Sequence, residues 1–283
     1  MIERCCGDSR PITESNYRFV CDLAMAEAAI VLGEGKEYLV ESRLGSVAHR
    51  HHCASINALV DHLRITGTWS QARRDVIDAL TTNETFFFRD HHPYEALRES
   101  LIPALAALPG ERRFTIWSAA CSTGQEPYSI AMLLREHFPW MAGRFDLMAS
   151  DFSQQALRRA REGLYQQIEV NRGLPASYLV NYFRQEGDHW RIGEPVRRMV
   201  SFFEINLAKS WPLLPTCDLV LLRNVMIYFD LPTRQRILRQ LRNVLAPGGL
   251  LLLGGAETTL MVDDGFEPVV VGKSTFYRRV GHG

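Results

Sequence analysis

Apolar residues follow two different spacings along the chain, and the spacing changes near residue 85. Up to about residue 80 they recur every three to four positions, which is the spacing of one buried face on an α-helix. This pattern predicts a small helical bundle over residues 10–80, in which Gly33 and Gly35 separate the first two helices and Gly45 lies inside the second. The apolar positions are Phe19, Leu23, Ala26 and Ile30, then Leu39, Val40, Leu44 and Val47, then Ile56, Leu59 and Leu63, and finally Val76 and Leu80.

After residue 112, short apolar runs alternate with longer helical segments. This alternation is typical of a doubly wound α/β domain with a parallel sheet. A polar interval over residues 174–199, with a turn at Gly187-Asp188, predicts a small β insertion, and Gly272-Lys273-Ser274 predicts a hairpin between 268–271 and 275–279. The predicted buried strands are Phe114–Trp117, Phe145–Met148, Val200–Ile205, Leu219–Leu222 and Leu250–Leu253, and the predicted helices are Pro127–Phe138, Ser153–Gly163 and Leu231–Leu245, the last closed by Pro247-Gly248-Gly249.

Composition narrows the class of protein. The 283 residues are 46% hydrophobic and 23% charged, as in an ordinary globular protein, and 32 basic residues balance 32 acidic ones, which argues against a nucleic-acid partner. No run approaches the roughly 20 apolar residues of a membrane span, and the N-terminal segment does not read as a secretory signal. The six cysteines, Cys5 and Cys6 among them, show neither zinc spacing nor a disulfide framework. We therefore expect a cytoplasmic protein with reduced thiols and no metal site.

The first predicted strand of the α/β region runs into a turn of small residues, Ser118 to Gly124, before a helix. Small residues at the carboxyl end of a first strand allow a ligand to approach the backbone closely. The turn is not a GxGxxG motif and lacks the lysine of a phosphate-binding loop, so it favours a nucleoside ligand without a pyrophosphate. An ordinary strand-to-helix turn remains the alternative.

The second predicted strand ends at Asp151, about 25 residues later. An acidic residue at this point can accept hydrogen bonds from both ribose hydroxyls. Alternatively, Asp151 or Ser153 caps the following helix. Taken together with the small-residue turn, Asp151 favours the nucleoside interpretation.

Polar residues also follow the fourth predicted strand, where Arg223 and Asn224 precede Tyr228. Asn224 can both donate and accept hydrogen bonds, and Tyr228 combines an aromatic ring with a hydroxyl. A simple strand exit, with Tyr228 in the core, is the alternative. The signature of amino-methyltransferases that act on nucleic acids, an acid or Asn followed by two prolines and an aromatic, is absent here.

The junction between the two regions carries three consecutive aromatic residues among hydrogen-bonding side chains. Asn83, Thr85 and Arg89 surround Phe86–Phe88, and an arginine at this place can neutralise a carboxylate of a cofactor or a substrate. A hydrophobic plug with a solvated rim is the alternative.

Five segments in this order and spacing resemble the CheR family of chemotaxis receptor methyltransferases. The resemblance runs from about Ile12 to Tyr277, and five motifs in register make it specific. The segments are TNETFFFRD, WSAACSTGQEPYSIAMLL, ASDFSQQALRRAREGLY, RNVMIYFD and LAPGGLLLLGGAET.

The resemblance implies a fold and an activity. A helical receptor-recognition domain (10–80) and a linker that contributes to the cofactor site (81–95) would precede a Rossmann-like methyltransferase domain (96–283) with a β subdomain at about 174–199. The enzyme would transfer a methyl group from S-adenosylmethionine to glutamate side chains on cytoplasmic helices of chemoreceptors, leaving S-adenosylhomocysteine. Arg89 and Tyr228 would position the substrate carboxylate. The implied cofactor-binding residues are Asn83, Thr85, Arg89, Glu126, Asp151, Asn206, Leu207, Arg223 and Asn224.

The resemblance also implies how the partner is recognised. Arg43 and Arg50, on one face of the second helix, would dock the receptor helix, although Ser46 and Val47 replace further arginines of better-known members. The segment Phe183–Trp190 is short and has one glycine, so tethering through a receptor C-terminal pentapeptide is not expected. We expect a monomer that does not insert into a membrane.

Two other functions remain open on the sequence. One is a non-catalytic regulator that binds S-adenosylmethionine and docks on signalling proteins, and the other is a methyltransferase for a small molecule or a nucleic acid. A labelled-methyl transfer assay separates them.

Overall fold

The computed structural model describes residues 11–66, 70–110 and 112–280. The chain divides into two compact units, one comprising the residues up to Thr82 together with Tyr228–Asp230, and the other comprising Asn83–Ile227 and the residues from Leu231 onward. The expectations for Cys5, Cys6 and the N-terminal segment fall outside the described residues. Within the described part of the chain, the helices are too short or too polar to cross a membrane.

The first unit is helical, as the periodicity predicted. The hydroxyls of Thr13, Ser55 and Ser70 cap the first, third and fourth helices by accepting backbone N–H groups of the first turn. The fully buried side chains of Leu44, Leu59, Leu63, Ile77 and Leu80 come from three of these helices and form a shared core. The helices are α1 (Glu14–Ala28), α2 (Glu37–Arg50), α3 (Ile56–Ile65) and α4 (Gln71–Leu80).

The buried face of α1 differs from the one predicted. Ala26 is exposed. Phe19 is half-buried beneath the guanidinium of Arg64, which lies 4.5 Å from the ring centroid. Val20 and Ala24 are fully buried instead. The prediction placed the large ring of Phe19 on the buried face. The small side chain of Ala24 occupies that face because it lets another helix approach closely.

The second unit contains a seven-stranded sheet and a separate three-stranded sheet among its described residues. The strands are β1 (Phe114–Ala119), β2 (Phe145–Asp151), β3 (Leu164–Gln166), β4 (Phe183–Glu186), β5 (His189–Ile192), β6 (Val200–Glu204), β7 (Cys217–Leu222), β8 (Leu245–Leu253), β9 (Phe266–Val271) and β10 (Ser274–Arg279). The helices are α5 (His92–Ala96), α6 (Ile102–Ala106), α7 (Gln125–His137), α8 (Gln154–Glu162), α9 (Gln167–Val170), α10 (Ala176–Tyr182), α11 (Glu194–Arg197) and α12 (Leu231–Val244).

The large sheet has the order β6-β2-β1-β7-β8-β10-β9. The first five strands in this order pair in parallel, and β10 pairs antiparallel with both β8 and β9. This confirms the doubly wound α/β class with a C-terminal hairpin. Helix α7 is buried over most of its length, as is usual for the crossover helix of a sheet covered on both faces.

Three details of this unit differ from what the sequence predicted. Strand β6 is an edge strand and only Val200 is buried along it, so the predicted buried run to Ile205 does not hold. Helix α12 ends at Val244 and β8 already begins at Leu245, with the Pro-Gly-Gly turn inside the strand as an irregularity in its pairing. Gly249 is required there, because a Cβ would lie 3.0 Å from the carbonyl oxygen of Cys217. The segment 92–106, for which no element was predicted, forms α5, a π-helical turn and α6.

The insertion is a three-stranded antiparallel sheet with the order β3-β5-β4. Its first strand, Leu164–Gln166, precedes the predicted range of 174–199, because β3 continues directly from the glycine that caps α8. Strands β4 and β5 meet at the predicted turn Gly187-Asp188, where Gly187 adopts the left-handed region with a φ of 59°.

Candidate active site

The carboxyl ends of four neighbouring strands meet at one edge of the large sheet. Ala119 of β1 pairs with Ser150 of β2 on one side and with Leu222 of β7 on the other, and Leu222 pairs with Leu253 of β8. Because these strands are parallel, the residues that follow each strand lie next to one another. Open α/β sheets bind their ligands at this edge.

The loops at this edge hold an unusual concentration of left-handed backbone in residues other than glycine. A non-glycine residue in this region costs about 1–3 kcal/mol when the surrounding structure imposes it, and such residues cluster at functional sites. The six residues come from three segments that are distant in sequence. They are Phe88 (φ 49°), Asp90 (φ 70°) and His91 (φ 50°), Ala120 (φ 59°) and Ser122 (φ 51°), and Asn224 (φ 58°).

Asp151, at the end of β2, organises the small-residue turn after β1. Its Oδ2 accepts the backbone N–H of Ser122 and its Oδ1 accepts that of Ser153, both at 2.8 Å. Ser153 is the cap of α8, since its hydroxyl accepts the N–H of Ala156. A carboxylate offers about four lone-pair positions, so these two bonds do not exhaust its capacity to accept hydroxyl groups. The N-cap alternative therefore belongs to Ser153.

Arg223 lies at the centre of a buried charge network. The side chain is 3% exposed, and its Nη1 donates to Oε2 of Glu126 at 3.0 Å. Its Nη2 donates to Oδ2 of Asp90 at 2.6 Å and to the carbonyl oxygen of Arg89 at 3.0 Å. Glu126 also accepts the hydroxyl of Ser118 on its other oxygen at 2.8 Å. Arg223 thus connects the end of β7 to α7 and to the linker.

The charge state of this network follows from its partners. Burial alone would lower the pKa of Arg223, but the nearby groups Glu126, Tyr94 and Asp90 raise it, so the guanidinium stays protonated. Burial, followed by the charge of Glu126, raises the pKa of the Tyr94 phenol. Sequence reasoning expected Arg223 and Glu126 to contact a cofactor separately, and the structure pairs them with each other. A buried ion pair that loses one partner leaves an uncompensated charge.

The linker segment has the buried aromatic core of a hydrophobic plug and also a rim of accessible hydrogen-bonding side chains. Phe87 and Phe88 are buried, and Phe87 makes edge contacts with the rings of Tyr165 and Phe183. The rim is more accessible: Asn83 is exposed, and Thr85 and Arg89 are half-buried.

Two hydrogen bonds attach this linker to the rest of the unit. The carbonyl of Asn83 accepts the hydroxyl of Ser122 at 2.9 Å, and the N–H of Phe88 donates to the hydroxyl of Ser129 at 3.0 Å. The rim of the linker therefore lies beside the turn that Asp151 organises.

Asn206 and Leu207 follow β6, at the same edge of the sheet as Asp151. The N–H of Ile205 donates to the carbonyl of Asp151 at 3.2 Å. Leu207 is buried, and its carbonyl accepts the indole N–H of Trp211, whose ring packs edge-on against Trp117 at 5.2 Å. Asn206 Oδ1 accepts the N–H of Ala208 at 3.0 Å. An apolar wall thus stands next to the predicted ribose-binding acid.

Glu257, which sequence reasoning did not single out, fixes the backbone at Asn224. One oxygen, Oε2, accepts the N–H of Asn224 at 2.7 Å and the N–H of Gly254 at 2.8 Å. A Cβ at Gly254 would lie 2.7 Å from Nδ2 of Asn224 and 2.8 Å from Oε2 of Glu257, so a larger residue here would displace both side chains. The sequence did hold a signal for Glu257, because it is the acidic residue of the GGAET segment that follows β8.

Three buried polar atoms of this region have no hydrogen-bond partner among the described residues: Oδ1 of Asn224, Oε1 of Glu257 and Nε of Arg223. Buried polar groups are normally satisfied, so such a cluster of donors and acceptors is typical of a ligand site. It fits a ligand that carries both donors and acceptors, as the methionine part of S-adenosylmethionine does. The residues present therefore fit the cofactor that the sequence predicted.

Tyr228 is grouped with the helical unit. It ends a short 3₁₀ turn, Met226–Tyr228, and its carbonyl accepts the N–H of Val31 at 3.3 Å. Its side chain is half-buried.

The two arginines expected on a common docking face differ in their surroundings. Arg43 donates from Nη1 to the carbonyl of Leu80 at 2.5 Å and from Nη2 to the hydroxyl of Thr82 at 2.8 Å, so it ties α2 to the C-terminal end of α4. Arg50 is exposed at the end of α2. The guanidinium of Arg43 is therefore engaged within its own unit.

Comparison with known families gives two adjacent matches. Residues 83–274 match the family described as "CheR methyltransferase, SAM binding domain", and residues 15–81 match "CheR methyltransferase, all-alpha domain". The boundary between the two matches coincides with the division of the structure after Thr82.

Similar proteins cover nearly the whole chain. A "Chemotaxis protein methyltransferase 1" of Vibrio cholerae is 36% identical over 271 residues, which span 94% of this chain and 98% of that protein. A protein of the same name from Pseudomonas aeruginosa is 37% identical over 254 residues, or 88% of this chain and 92% of that one. Among solved structures, a TehB-like SAM-dependent methyltransferase from Corynebacterium glutamicum aligns with a TM-score of 0.40 and 16% identity, covering 66% of this chain and 88% of that chain.

Proposed function

This chain belongs to the CheR methyltransferase family, and from that premise we propose that it methylates glutamate side chains of chemoreceptors with S-adenosylmethionine as donor. The products are glutamate methyl esters and S-adenosylhomocysteine, and the reaction serves sensory adaptation. The observation that carries this proposal is the pair of family matches over residues 15–81 and 83–274, the second of which contains the linker and the strand ends of the candidate site.

The chain's own residues supply the parts of a nucleoside site. Asp151 would accept the ribose hydroxyls, and Asn206 with Leu207 would frame the adenine. These assignments are supported by the position of the three residues at the carboxyl ends of the adjacent strands β2 and β6.

The remaining cofactor-binding residues surround the methionine part. Asn83, Thr85 and Arg89 line the linker side, and Arg223 and Asn224 form the floor. Glu126 would bind the α-ammonium group, and the ion pair with Arg223 keeps its carboxylate oriented. When bound, the cofactor supplies a methyl group on a positively charged sulfur.

The substrate requires no general base from the protein. A glutamate carboxylate has an ordinary pKa near 4.3 and is already a nucleophile at pH 7. Arg89 and Tyr228 position this carboxylate, and the ring of Tyr228 is compatible with the cationic sulfur. In-line placement at about 3 Å with water removed is the main contribution of the enzyme. Burial raises the pKa of the Cys121 thiol, so it stays protonated and takes no part as a nucleophile.

The helical unit docks the receptor. Arg50, exposed at the end of α2, meets acidic residues of the receptor helix. Arg43 supports this surface by holding α2 against the end of α4, and a change at Arg43 perturbs the unit as well as docking. The enzyme acts as a monomer in the cytoplasm, where the methylated helices are.

Recognition does not depend on a receptor C-terminal pentapeptide. The hairpin of β4 and β5 has four residues in each strand and a two-residue turn, too short for the longer glycine-containing loop that would grip a peptide. Strand β4 does lie at an edge of its sheet, where a peptide strand could add. Truncation of the receptor tail therefore tests this part of the proposal directly.

A transfer assay with methyl-labelled S-adenosylmethionine tests the function. Three separate acceptors are used: receptor cytoplasmic fragments, a nucleic acid, and a cell extract from which the chemoreceptors have been removed. We expect label only in the receptor fragments. Cofactor binding without transfer to any acceptor would favour a non-catalytic regulator, and transfer to another acceptor alone would favour a methyltransferase of a different substrate class.

A further inference from the structure

Two arginines lie over the ring of one linker aromatic, Phe86. The guanidinium carbon of Arg172 is 4.3 Å from the ring centroid and that of Arg89 is 5.3 Å from it. Glu84 contacts both arginines: its Oε1 accepts Nη2 of Arg172 at 2.8 Å, and its backbone carbonyl accepts Nη1 of Arg89 at 3.2 Å. The predicted substrate-positioning arginine therefore has a second cation beside it, which sequence reasoning did not identify.

The position of Arg172 is imposed by the backbone. The next residue, Gly173, has a φ of 81°, and a Cβ there would lie 2.1 Å from the carbonyl oxygen of Phe87. Any other residue would separate this turn from the linker. Close backbone contact places Arg172 next to the linker, and from there its guanidinium reaches the ring of Phe86.

The ion pair between Arg172 and Glu84 is easily exchanged. The two side chains are 53% and 59% exposed, and exposed pairs of this kind contribute only about 0.2–1 kcal/mol. A carboxylate from another molecule can replace Glu84 at little cost, while the guanidinium remains stacked on the ring.

The two cations are close enough together to meet two acidic residues of one helix. Since both guanidinium groups contact one ring, they are separated by no more than the sum of their distances to its centroid. Side chains three or four positions apart on a helix have Cβ atoms about 5–6 Å apart. A helix with two acids one turn apart can therefore present one carboxylate to each arginine.

We propose that Arg172 binds an acidic side chain of the receptor helix, one turn from the glutamate that Arg89 positions for methylation, and that Glu84 occupies Arg172 until the receptor binds. This inference rests on the proposed function, because it takes a methyl-accepting helix as the substrate. It makes Arg172 a substrate-binding residue that favours glutamates with an acidic neighbour.

Initial rates at varied receptor-fragment concentration test this role. For Arg172→Ala we expect the KM for the fragment to rise about tenfold, with an unchanged Kd for S-adenosylmethionine, which also verifies the fold. Arg172→Lys should recover part of the loss, since it keeps the charge without the planar stacking. Glu84→Gln should lower the KM severalfold by removing the competing carboxylate. Arg198→Ala, which breaks another exposed ion pair of the insertion, with Glu194, should change nothing.

A double-mutant cycle locates the contact. Replacing the acid one turn from the methylated glutamate with its amide should raise the KM for the wild-type enzyme and should add nothing for Arg172→Ala. Additive effects, or a KM of Arg172→Ala within twofold of the wild type, would overturn this inference while leaving the proposed function intact. If the wild-type enzyme transfers no methyl to any receptor fragment, the proposed function itself fails, and this inference fails with it.

Discussion

Replacing Asp151 with alanine acts on the protein before any cofactor binds. The carboxylate accepts the N–H groups of Ser122 and Ser153 at 2.8 Å each, and it is buried. A buried N–H that loses its acceptor costs about 1–3 kcal/mol, so the free enzyme should lose stability as well as affinity. A fall in the binding of S-adenosylmethionine by this variant would therefore not by itself identify Asp151 as the ribose ligand.

Ligand analogues separate the two effects. A hydrogen bond from a hydroxyl to a carboxylate contributes about 1.5–3 kcal/mol, which corresponds to roughly a 10- to 150-fold change in Kd. The wild-type enzyme should bind the 2′-deoxy and 3′-deoxy analogues of S-adenosylhomocysteine more weakly than the parent by this factor. With Asp151→Ala the deoxy analogues should bind as well as the parent, because the acceptor is gone.

Titration calorimetry with the three ligands on both proteins measures these differences. Thermal unfolding of each protein without ligand provides the control, since it shows how much of the variant is folded at the assay temperature. Equal affinity of the wild-type enzyme for the parent and both deoxy analogues would refute the ribose assignment. Asp151 would then serve only to hold the turn at Ser122 and the start of α8.

Four further predictions follow from the structure. Arg50→Glu should raise the KM for the receptor fragment several-fold and spare cofactor affinity, and high salt should weaken the wild-type interaction in the same way, as initial rates will show. Removing the last five residues of the receptor should change the initial rate less than twofold, whereas a tenfold drop would show that the β insertion grips the tail. Gly124→Ala should lower thermal stability by about 1–3 kcal/mol, because φ is 95° and the new Cβ would lie 3.0 Å from that of Ala160, whereas Gly143→Ala meets no atom within 4 Å and should not. In the native protein, iodoacetamide should leave the buried Cys121 unmodified while it labels the half-buried cysteines of the helical unit, which peptide mass spectrometry can test.

The elements that the sequence predicted well have strong local signals. Helix α8 lies between a serine cap and a left-handed glycine, both visible in the sequence, and its bounds agree with the prediction to one residue. The C-terminal hairpin was recognisable from its turn residues. The α5–α6 segment was missed because prolines at 93 and 103 obscure its helical pattern, although both stand at positions near a helix start that tolerate proline. The face of α1 and the exposure of β6 depend on neighbours that are distant in sequence.

The site was predictable where chemistry follows directly after a strand. Asp151 and Asn224 stand at strand ends, and parallel pairing brings those ends together. The pairings within the buried charge network were not predictable, because they join residues that are far apart along the chain: Arg223 pairs with Glu126 across 97 positions and with Asp90 across 133. Arg172 was missed for the same reason, since its partner Glu84 lies 88 positions away, whereas Glu257 was missed although the GGAET segment held a local signal.

The chemical identity of the methylated group distinguishes a glutamate methyltransferase from every other class of methyltransferase. After incubation with methyl-labelled S-adenosylmethionine, the receptor fragment is digested, and the labelled peptides are sequenced by mass spectrometry before and after mild alkali. We expect a methyl group on glutamate that the alkali releases as methanol, because a carboxylate oxygen is the nucleophile and the product is an ester. Label that resists alkali, or label on lysine, arginine or another side chain, would contradict it.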